Sequence, residues 1–483
     1  MKYDIIGAGV AGCGAALELA QKNKVTLWER NNTLLSGSSD ATPCRLGIFH
    51  YPDLETALIC LDTTISMVRK YPGFKVFDEK PEAYLIHSYY FVVKESKYAA
   101  EQVHSLFSTI QSEYAKRTRE DVANKVFGEP DQLITVLNPS EYAHLIDISK
   151  VLIGIRTAEC SFNWPKLKDH LKEKILAHPN IEVNINSEII DAKHSDTDAG
   201  FMLTIKNTQT QNILRQKTDF IINASWQNIE DINRMLGFYM TNDIRTNRTK
   251  VMIEVLLPKS LEKAPSMFFC FGNFCSYTNL GGRKGLITYE PVTNIAQSTG
   301  YRVSPFSDRL LRGEATKAEK LSYGIEIIQG ISQFIPHMAQ AQFVRAKFGN
   351  VKTKNAQFDT RREDGVEEQQ LCLISNGSVK FTHFAKNAEK IYRLAAQHEE
   401  TSNKLQKEII PEINKVIKSE YPKPIMHFFT KYLQRYVECH EFKVEGSVEC
   451  FKDNMSKTVK LKQAMNEQVE KGKSRSKHGK FFG

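Results

Sequence analysis

A glycine-rich turn near the start of the chain is the feature that most constrains its fold. Gly7, Gly9 and Gly12 have the spacing G-x-G-x-x-G, between a short apolar run (residues 3–7) and a run of helix formers (residues 15–21). Gly7 permits a sharp turn, Gly9 lets the backbone approach a pyrophosphate, and Gly12 lets helix and strand pack closely. The pattern predicts a strand, a tight turn and a helix whose N-terminus offers amide donors to phosphate.

A second strand follows at the position that such a turn requires. Residues 24–30 are rich in β-branched and aromatic side chains, which completes a β-α-β unit with a parallel strand pair. Glu29 lies at the end of this strand, where a carboxylate can accept hydrogen bonds from the ribose hydroxyls of an adenosine. Arg30 follows Glu29, so a ribose that carries a phosphate group is left open as an alternative ligand. Together these features predict dinucleotide binding, and the alternative is that the glycines serve only the turn and helix packing.

With these residues placed, the sequence resembles the FAD-dependent oxidoreductase superfamily typified by D-amino-acid oxidase, sarcosine oxidase and glycerol-3-phosphate dehydrogenase. Residues 36–51 resemble the Ser-rich loop of that family, and residues 219–226 resemble its D-x-V-I-N-A-x-G strand, with Ser225 in place of the usual Gly. Residues 377–382 resemble its late G-G-K-x-T turn, from which Ser378 and Val379 depart. The resemblance implies FAD as the cofactor, which accepts two electrons.

The order of the predicted elements indicates an α/β fold. After the β-α-β unit, antiparallel-looking strands alternate with returns to a buried strand such as residues 220–223, and residues 84–93 are predicted to form one strand. We predict a Rossmann-like FAD-binding domain of the glutathione-reductase type built from separated segments, with an inserted mixed or antiparallel sheet domain for the substrate and a helical C-terminal extension. The predicted ranges are 1–85, 150–235 and 341–395 for FAD, 86–149 and 236–340 for the substrate, and 396–483 for the extension and a basic tail.

The residues expected to bind FAD lie in the four segments that carry the resemblance. Ser38 and Ser39 can hydrogen-bond phosphate or ribityl groups, although ordinary solvation of the loop is an equal alternative. The full set of expected FAD-binding residues is Gly7, Gly9, Val10, Ala11, Gly12, Glu29, Arg30, Ser38, Ser39, Arg45, Ala224, Ser225, Trp226, Gly377, Ser378, Lys380 and Thr382.

Three side chains are candidates for catalysis. The resemblance implies that Arg45 and His50 lie near the flavin and the substrate. A guanidinium can hold a substrate carboxylate through two hydrogen bonds, and His50 could accept a proton as hydride leaves. Lys380 lies in the turn that resembles the flavin-closing one, where its charge would stabilise anionic reduced flavin or activate oxygen. The alternative is that His50 and Tyr51 only pack at the end of the loop.

These residues predict an FAD-dependent oxidase or dehydrogenase that removes hydride from a C–H next to an amine or hydroxyl in a small, polar, anionic substrate. One alternative is a tRNA-modifying FAD oxidoreductase, suggested by the net charge of +9 and the basic tail. The other is a catalytically degenerate flavin-binding interaction protein, suggested by Ser225, the divergent late turn and C-terminal helices that could dock a partner.

Composition excludes several classes of protein. Hydrophobic residues at 41% and charged residues at 25% are typical of globular chains. No uninterrupted apolar stretch of about 18 residues occurs, so no membrane-spanning helix is predicted. The nine cysteines are scattered, which favours reduced thiols, a cytoplasmic location and no metal site. The basic tail is expected to be a solvated terminus, with contact to nucleic acid or anionic lipid left open.

Overall fold

The structure is a computed structural model of the chain, and it describes residues 1–74, 83–195, 200–238, 246–271, 275–353, 365–370, 372–377, 380–404 and 407. Ser378, the basic tail and almost all of the predicted C-terminal extension lie outside the described residues.

The described strands, in chain order, are β1 (Lys2–Ile6), β2 (Lys24–Trp28), β3 (Ser88–Val93), β4 (Ile134–Leu137), β5 (Val151–Thr157), β6 (Ile181–Asn184), β7 (Ser187–His194), β8 (Phe201–Asn207), β9 (Ile213–Thr218), β10 (Phe220–Asn223), β11 (Thr246–Leu256), β12 (Ser266–Cys270), β13 (Cys275–Asn279), β14 (Lys284–Tyr289), β15 (Asn294–Thr299), β16 (Gln342–Thr353), β17 (Val366–Gln370) and β18 (Leu373–Asn376).

The described α-helices are α1 (Val10–Leu19), α2 (Leu54–Lys70), α3 (Ala83–Ile86), α4 (Ala100–Glu120), α5 (Pro139–Tyr142), α6 (Trp164–Ala177), α7 (Ile229–Met235), α8 (Glu290–Thr293), α9 (Pro305–Leu311), α10 (Lys317–Ser332) and α11 (Phe384–Lys404). A short 3-10 helix, Ser38–Ala41, lies inside the Ser-rich loop. None of the described helices is long and apolar enough to cross a membrane. The described residues contain no group of three or more His, Cys, Asp or Glu side chains that could hold a metal ion.

The described chain divides into two compact units. The first comprises Met1–His194, Gly200–Gln369 and Leu373–Leu394, and it contains nearly all of the described structure. The second comprises Ser195–Ala199, Gln370–Cys372 and Ala395–Gly483. Within the second unit, the backbone amide of Cys372 donates to Nδ1 of His398 at 3.2 Å. The domain ranges expected from the sequence stay a prediction.

The nucleotide-binding signature lies in a six-stranded sheet with the strand order β17-β18-β10-β1-β2-β6. The pairs from β18 to β6 are all parallel. Strands of a parallel sheet are apolar on both faces because helices cover both. Ile5, Ile222 and Ile374 in three adjacent strands are accordingly fully buried. The glycine turn therefore follows a central strand, at the carboxyl edge where ligands bind in open α/β sheets.

A larger mixed sheet of nine strands forms the second layer of the molecule. Strand β11 pairs with three strands of this sheet: β16 along one edge, and β15 and β14 along the other edge. Beyond β14 the order continues β13-β12-β3-β5-β4, and β3 and β12 are parallel. Helix α10 covers one face, and its Ile327 and Ile331 join the core formed with Val251 and Ile253. Burying each such side chain contributes about 1.5–3 kcal/mol. Side chains on the opposite face, among them Met252, Ser276 and Thr288, line a cavity.

A third, antiparallel sheet contains β7, β8 and β9. One predicted strand is wrong in its first part, because Tyr84, Leu85 and Ile86 belong to helix α3 and β3 begins only at Ser88. A short apolar run does not distinguish a buried helical turn from a strand, since neither shows its full period over three residues.

Candidate functional site

A cavity of about 1200 Å³ within the first unit brings most of the predicted site residues together. Its size exceeds the ordinary range of about 300–1,000 Å³ for small-molecule pockets, which leaves room for an extended dinucleotide and a small substrate. The predicted residues that line it are Gly7, Gly9, Val10, Ala11, Glu29, Arg30, Ser38, Ser39, Arg45, His50, Ala224, Ser225, Trp226, Gly377 and Lys380.

Gly12 and Thr382 do not line this cavity. Thr382 is fully buried, with its hydroxyl 3.5 Å from that of Thr63 in helix α2. It therefore packs the late turn onto a helix, away from the cavity. Gly12 lies inside helix α1, where a Cβ would come within 1.9 Å of the Gly7 carbonyl oxygen. Its place in the sequence pattern is therefore explained by close packing of helix and turn.

The glycine turn has the geometry that a dinucleotide requires. Gly7 has φ +98°, in the left-handed region, and a Cβ there would be 2.6 Å from the carbonyl oxygen of Ala224. Gly9 immediately precedes helix α1, and a Cβ on it would be 3.2 Å from the Ser39 hydroxyl oxygen. Side chains at these positions would fill the space next to the helix N-terminus. The residues present therefore fit a pyrophosphate held there.

The two serines of the loop have different partners. The Ser39 hydroxyl oxygen accepts from the backbone amide of Val10 at 2.9 Å, so it lies at the first turn of α1. The Ser38 hydroxyl oxygen accepts from the backbone amide of Asn350 at 3.0 Å, which ties the loop to β16. Each serine keeps its own hydroxyl proton to donate to a ligand. Ser39 is the serine at the helix N-terminus.

Glu29 is almost fully buried and lines the cavity. One carboxylate oxygen accepts from the backbone amide of Ala8 and the other from that of Asn31, each at 2.9 Å. Burial raises the pKa of Glu29, and these two hydrogen bonds partly offset the rise. A carboxylate oxygen can accept more than one hydrogen bond, so Glu29 still has acceptor capacity for ribose hydroxyls.

The strand that ends at Asn223 is followed by an unusual backbone position at Trp226. Trp226 has φ +53°, whereas Ser225 has φ −75°. The left-handed region favours glycine and costs other residues about 1–2 kcal/mol. Trp226 therefore occupies the position where the family pattern has glycine, and the assignment of that position to Ser225 is wrong by one residue. The indole Nε1 donates to the Asn350 carbonyl oxygen at 2.9 Å, which holds Trp226 in place.

Arg45 lies in a buried charged cluster at the other end of the cavity. Its Nη2 pairs with Glu159 at 3.3 Å, and its guanidinium lies 4.8 Å from the ring centroid of Phe268. The hydroxyl of Tyr90 and the backbone amide of Ile48 each donate to the second oxygen of Glu159 at 2.7 Å. Burial, together with the Glu159 charge, raises the pKa of Tyr90 well above its usual value. Nη2 is thus engaged by Glu159, and Nη1 has no hydrogen-bond partner among the described residues.

His50, Tyr51 and Lys380 meet beside this cluster. The rings of His50 and Tyr51 have centroids 3.9 Å apart, and His50 lies 5.3 Å from Phe268. The Lys380 Nζ lies 5.0 Å from the centre of the Tyr51 ring and is buried without a hydrogen-bond partner in the described part of the chain. A Cβ on Gly47 would be 2.9 Å from Nζ of Lys380. The fold thus brings the Ser-rich loop and the late turn into contact.

The sequence analysis did not identify the wall of this end, which is the free face of the mixed sheet. Strand register aligns Phe268 with Ser276 and Ser276 with Thr288, on β12, β13 and β14. The hydroxyl oxygens of Ser276 and Thr288 are 2.7 Å apart. An ion pair between Lys250 and Glu290 lies next to them, and all of these side chains line the cavity. The sequence shows the alternation of polar and apolar residues along β11, but it does not show which distant strands pair with one another or in which register.

Comparison with known families agrees with this geometry. Residues 3–106 match the family model described as FAD dependent oxidoreductase. No curated protein sequence matches the chain.

Solved structures with the same fold cover most of the chain. Glycine oxidase from Geobacillus kaustophilus shares 14% identity with a TM-score of 0.56, over 82% of this chain and 94% of that one. L-proline dehydrogenase from P. horikoshii shares 16% identity with a TM-score of 0.55, over 82% and 93%. The L-alpha-glycerophosphate oxidase from Mycoplasma pneumoniae shares 15% identity with a TM-score of 0.57, over 82% and 94%.

The predicted fold class is confirmed: a Rossmann-like FAD-binding fold combined with a mixed sheet and a C-terminal helix. The predicted enzyme class and the predicted cofactor are confirmed by the family match. Residues 3–106 thus match an FAD-dependent oxidoreductase domain, which is the resemblance expected from the sequence and implies FAD as the cofactor.

Proposed function

We propose that this FAD-dependent oxidoreductase removes hydride from a C–H bond next to an amine or hydroxyl group of a small, polar, anionic substrate. One observation supports it most directly: a single cavity contains both Glu29 at the nucleotide end and His50 with Lys380 at the other end. The solved structures of the same fold are named for glycine, L-proline and glycerophosphate. Each of those molecules carries a carboxylate or phosphate and a C–H beside nitrogen or oxygen.

FAD, when bound, supplies the two-electron acceptor for the hydride. In this proposal the glycine turn and Ser39 hold its phosphates, and Glu29 accepts hydrogen bonds from its ribose. Gly377 and the segment 224–226 line the same cavity. These contacts would hold FAD in the cavity that His50 also lines.

His50 is assigned as the proton acceptor. As the substrate C–H bond breaks with both of its electrons, the neighbouring N–H or O–H loses its proton to an imidazole nitrogen of His50, and an imine or carbonyl product remains. Packing of His50 against Tyr51 and Phe268 excludes water from one side of the imidazole. The aromatic contacts thus orient the base without occupying the cavity.

Lys380 and Arg45 receive different roles. Lys380 has a buried ammonium without a hydrogen-bond partner among the described residues, so its charge is available to a substrate anion or to negative charge that develops on reduction. Arg45 was expected to hold a carboxylate through two hydrogen bonds. Because its Nη2 already pairs with Glu159, we assign Arg45 as a positioning residue that fixes the loop next to His50.

The test is an absorbance spectrum of the purified protein, followed by anaerobic mixing with amino acids, N-methyl amines, hydroxy acids and glycerol phosphates. The expected result is a yellow protein whose flavin absorbance is bleached by at least one of these donors. His50→Gln should retain the flavin but slow the bleaching by about 10²–10⁴-fold, as expected for loss of a general base. If the protein binds flavin but none of these donors reduces it, the proposal is contradicted and the interaction-protein alternative is favoured.

The tRNA-modifying alternative, the contact of a partner with the C-terminal helices and the cytoplasmic location stay predictions. The basic tail that motivates the first lies outside the described residues. A salt titration of RNA binding would test it, because affinity that depends on phosphate contacts falls steeply with salt.

A further inference from the structure

The cavity is lined in part by a segment that follows strand β15 of the mixed sheet. We propose that residues 300–312, which we call the strap, form the outer wall of the adenosine site and that ion pairs across this wall control the release of FAD. The inference depends on the cofactor and not on the identity of the substrate.

The position of the strap follows from its neighbours. Glu29 and Arg30 mark the adenosine end, and the backbone amide of Ser187 donates to the Glu29 carbonyl oxygen at 2.8 Å. Glu188, the next residue of β7, therefore lies at the same end. Helix α7 packs against β7 and contributes Asp231 to the cavity lining. The strap residues that line the same cavity are Arg302, Val303, Pro305, Asp308 and Arg312.

Three contacts join the strap to the opposite wall. Arg302 Nε lies 2.7 Å from Oδ1 of Asp231, and Arg312 Nη2 lies 3.6 Å from Oε1 of Glu188. The guanidinium of Arg234 lies 5.4 Å from the ring centroid of Tyr301. All three involve arginine, and the Arg302 side chain is 73% exposed. Such exposed ion pairs are individually weak and are screened by salt. The strap is therefore joined to this wall by interactions that salt weakens.

The other side of the strap is attached more firmly. The Gly300 carbonyl oxygen accepts from the side chain of Asn247 in β11 at 3.1 Å. The Ser304 side chain caps the N-terminus of α9, and Arg309 pairs with Glu319 of α10. Gly300 and Gly313 bound the strap and have φ +114° and +84°, which only glycine adopts readily. A segment attached on one side and ion-paired on the other can swing about its glycine ends.

The first experiment measures FAD dissociation from the holoprotein by flavin fluorescence in the presence of excess competing apoprotein. Arg302→Ala combined with Arg312→Ala should release FAD faster, by about two- to fivefold for each of the two ion pairs lost across the cavity. Arg312→Ala also removes the pair with Asp308 inside the strap. Arg309→Ala is the matched control, because Arg309 lies in the strap between the two replaced arginines and its pair with Glu319 does not cross the cavity. The release rate of the unmodified protein should rise with NaCl, and that rise should be largely absent in the double variant.

A second pair of variants separates the ion pair from the loss of arginine itself. Arg302→Asp should accelerate release through repulsion of Asp231, and adding Asp231→Arg should restore a slow, salt-sensitive rate. An unchanged rate in the alanine double variant, or no restoration in the reversed pair, would overturn the proposal. The release experiments use FAD and no substrate. If the release rates change as expected but no donor reduces the flavin, the proposed function is contradicted and the role of the strap is not.

Discussion

The two ends of the cavity are built in opposite ways. At the nucleotide end, Gly7, Gly9 and Glu29 lie within one β-α-β unit of about thirty residues, and backbone groups supply most of the contacts. At the substrate end, Arg45 meets Glu159 from 114 residues away, and the wall comes from strands of another sheet. The glycine turn and Glu29 are set by local sequence, whereas the charged cluster and the wall of the substrate end depend on long-range pairing. Variants at the two ends should therefore differ in what they change.

The largest effect is expected at the substrate end, from Glu159→Ala. The substitution leaves the buried Arg45 guanidinium without its counter-ion, which typically costs about 3–5 kcal/mol of unfolding free energy. Urea denaturation followed by circular dichroism measures it. Replacing both partners, as in Arg45→Met with Glu159→Leu, should recover only part of the stability, because the unpaired charge is removed but the buried Tyr90 hydroxyl and Ile48 amide still lose their acceptor.

The same double replacement also tests whether Arg45 is a positioning residue. A stable Arg45→Met, Glu159→Leu protein that binds FAD normally should be reduced more slowly, because His50 loses the loop geometry that the charged cluster fixes. Reduction at the unmodified rate would show that the cluster serves stability only. Loss of FAD binding in this variant would contradict the separation of the two ends.

The difference between the ends also explains how far sequence reasoning reached. The glycine turn and Glu29 could be predicted because their spacing along the chain determines their spacing in the fold. Thr382 could not be placed, because one residue in a turn does not indicate which side packs against helix α2. Trp226 could have been assigned from the sequence, because aligning the pattern D-x-V-I-N-A-x-G with residues 219–226 already puts its glycine at position 226. Glu159 carries no motif at all, and its role depends on the antiparallel pairing of β3 with β5, which places it beside Tyr90 and Arg45.

A smaller effect is expected at the nucleotide end, where Glu29 should make FAD affinity depend on pH. Burial raises the pKa of Glu29 above the ordinary value of 4.5, so the carboxylate gains a proton at higher pH than an exposed glutamate does. Only the ionised form accepts from both ribose hydroxyls, so affinity should fall as pH decreases towards the raised pKa. Loss of such a charged hydrogen bond corresponds to about ten- to a hundredfold in affinity.

Glu29→Gln is the matched control for that titration, since it keeps the shape and removes the ionisation. Its FAD affinity should be low and nearly independent of pH across the same range, by fluorescence titration of apoprotein. The linked effect on folding has the opposite sign: a raised pKa in the folded state means that the stability of the apoprotein falls as pH rises from 4.5 through the folded pKa. An FAD affinity that increases towards acid pH would contradict the assigned role of Glu29.

The smallest effect is expected from Thr288→Val on the free face of the mixed sheet. Removing this hydroxyl leaves that of Ser276 without its partner at 2.7 Å, which should cost about 1 kcal/mol of unfolding free energy. FAD affinity should not change, because the nucleotide end is built from other strands. If the hydroxyl pair faces the substrate, the donor concentration needed for half-maximal flavin reduction should rise severalfold while the limiting rate stays the same.

Thr278→Val, a buried threonine on β13 that does not line the cavity, is the matched control. A change in FAD affinity with Thr288→Val would show that the two ends are coupled, and the comparison between them would fail.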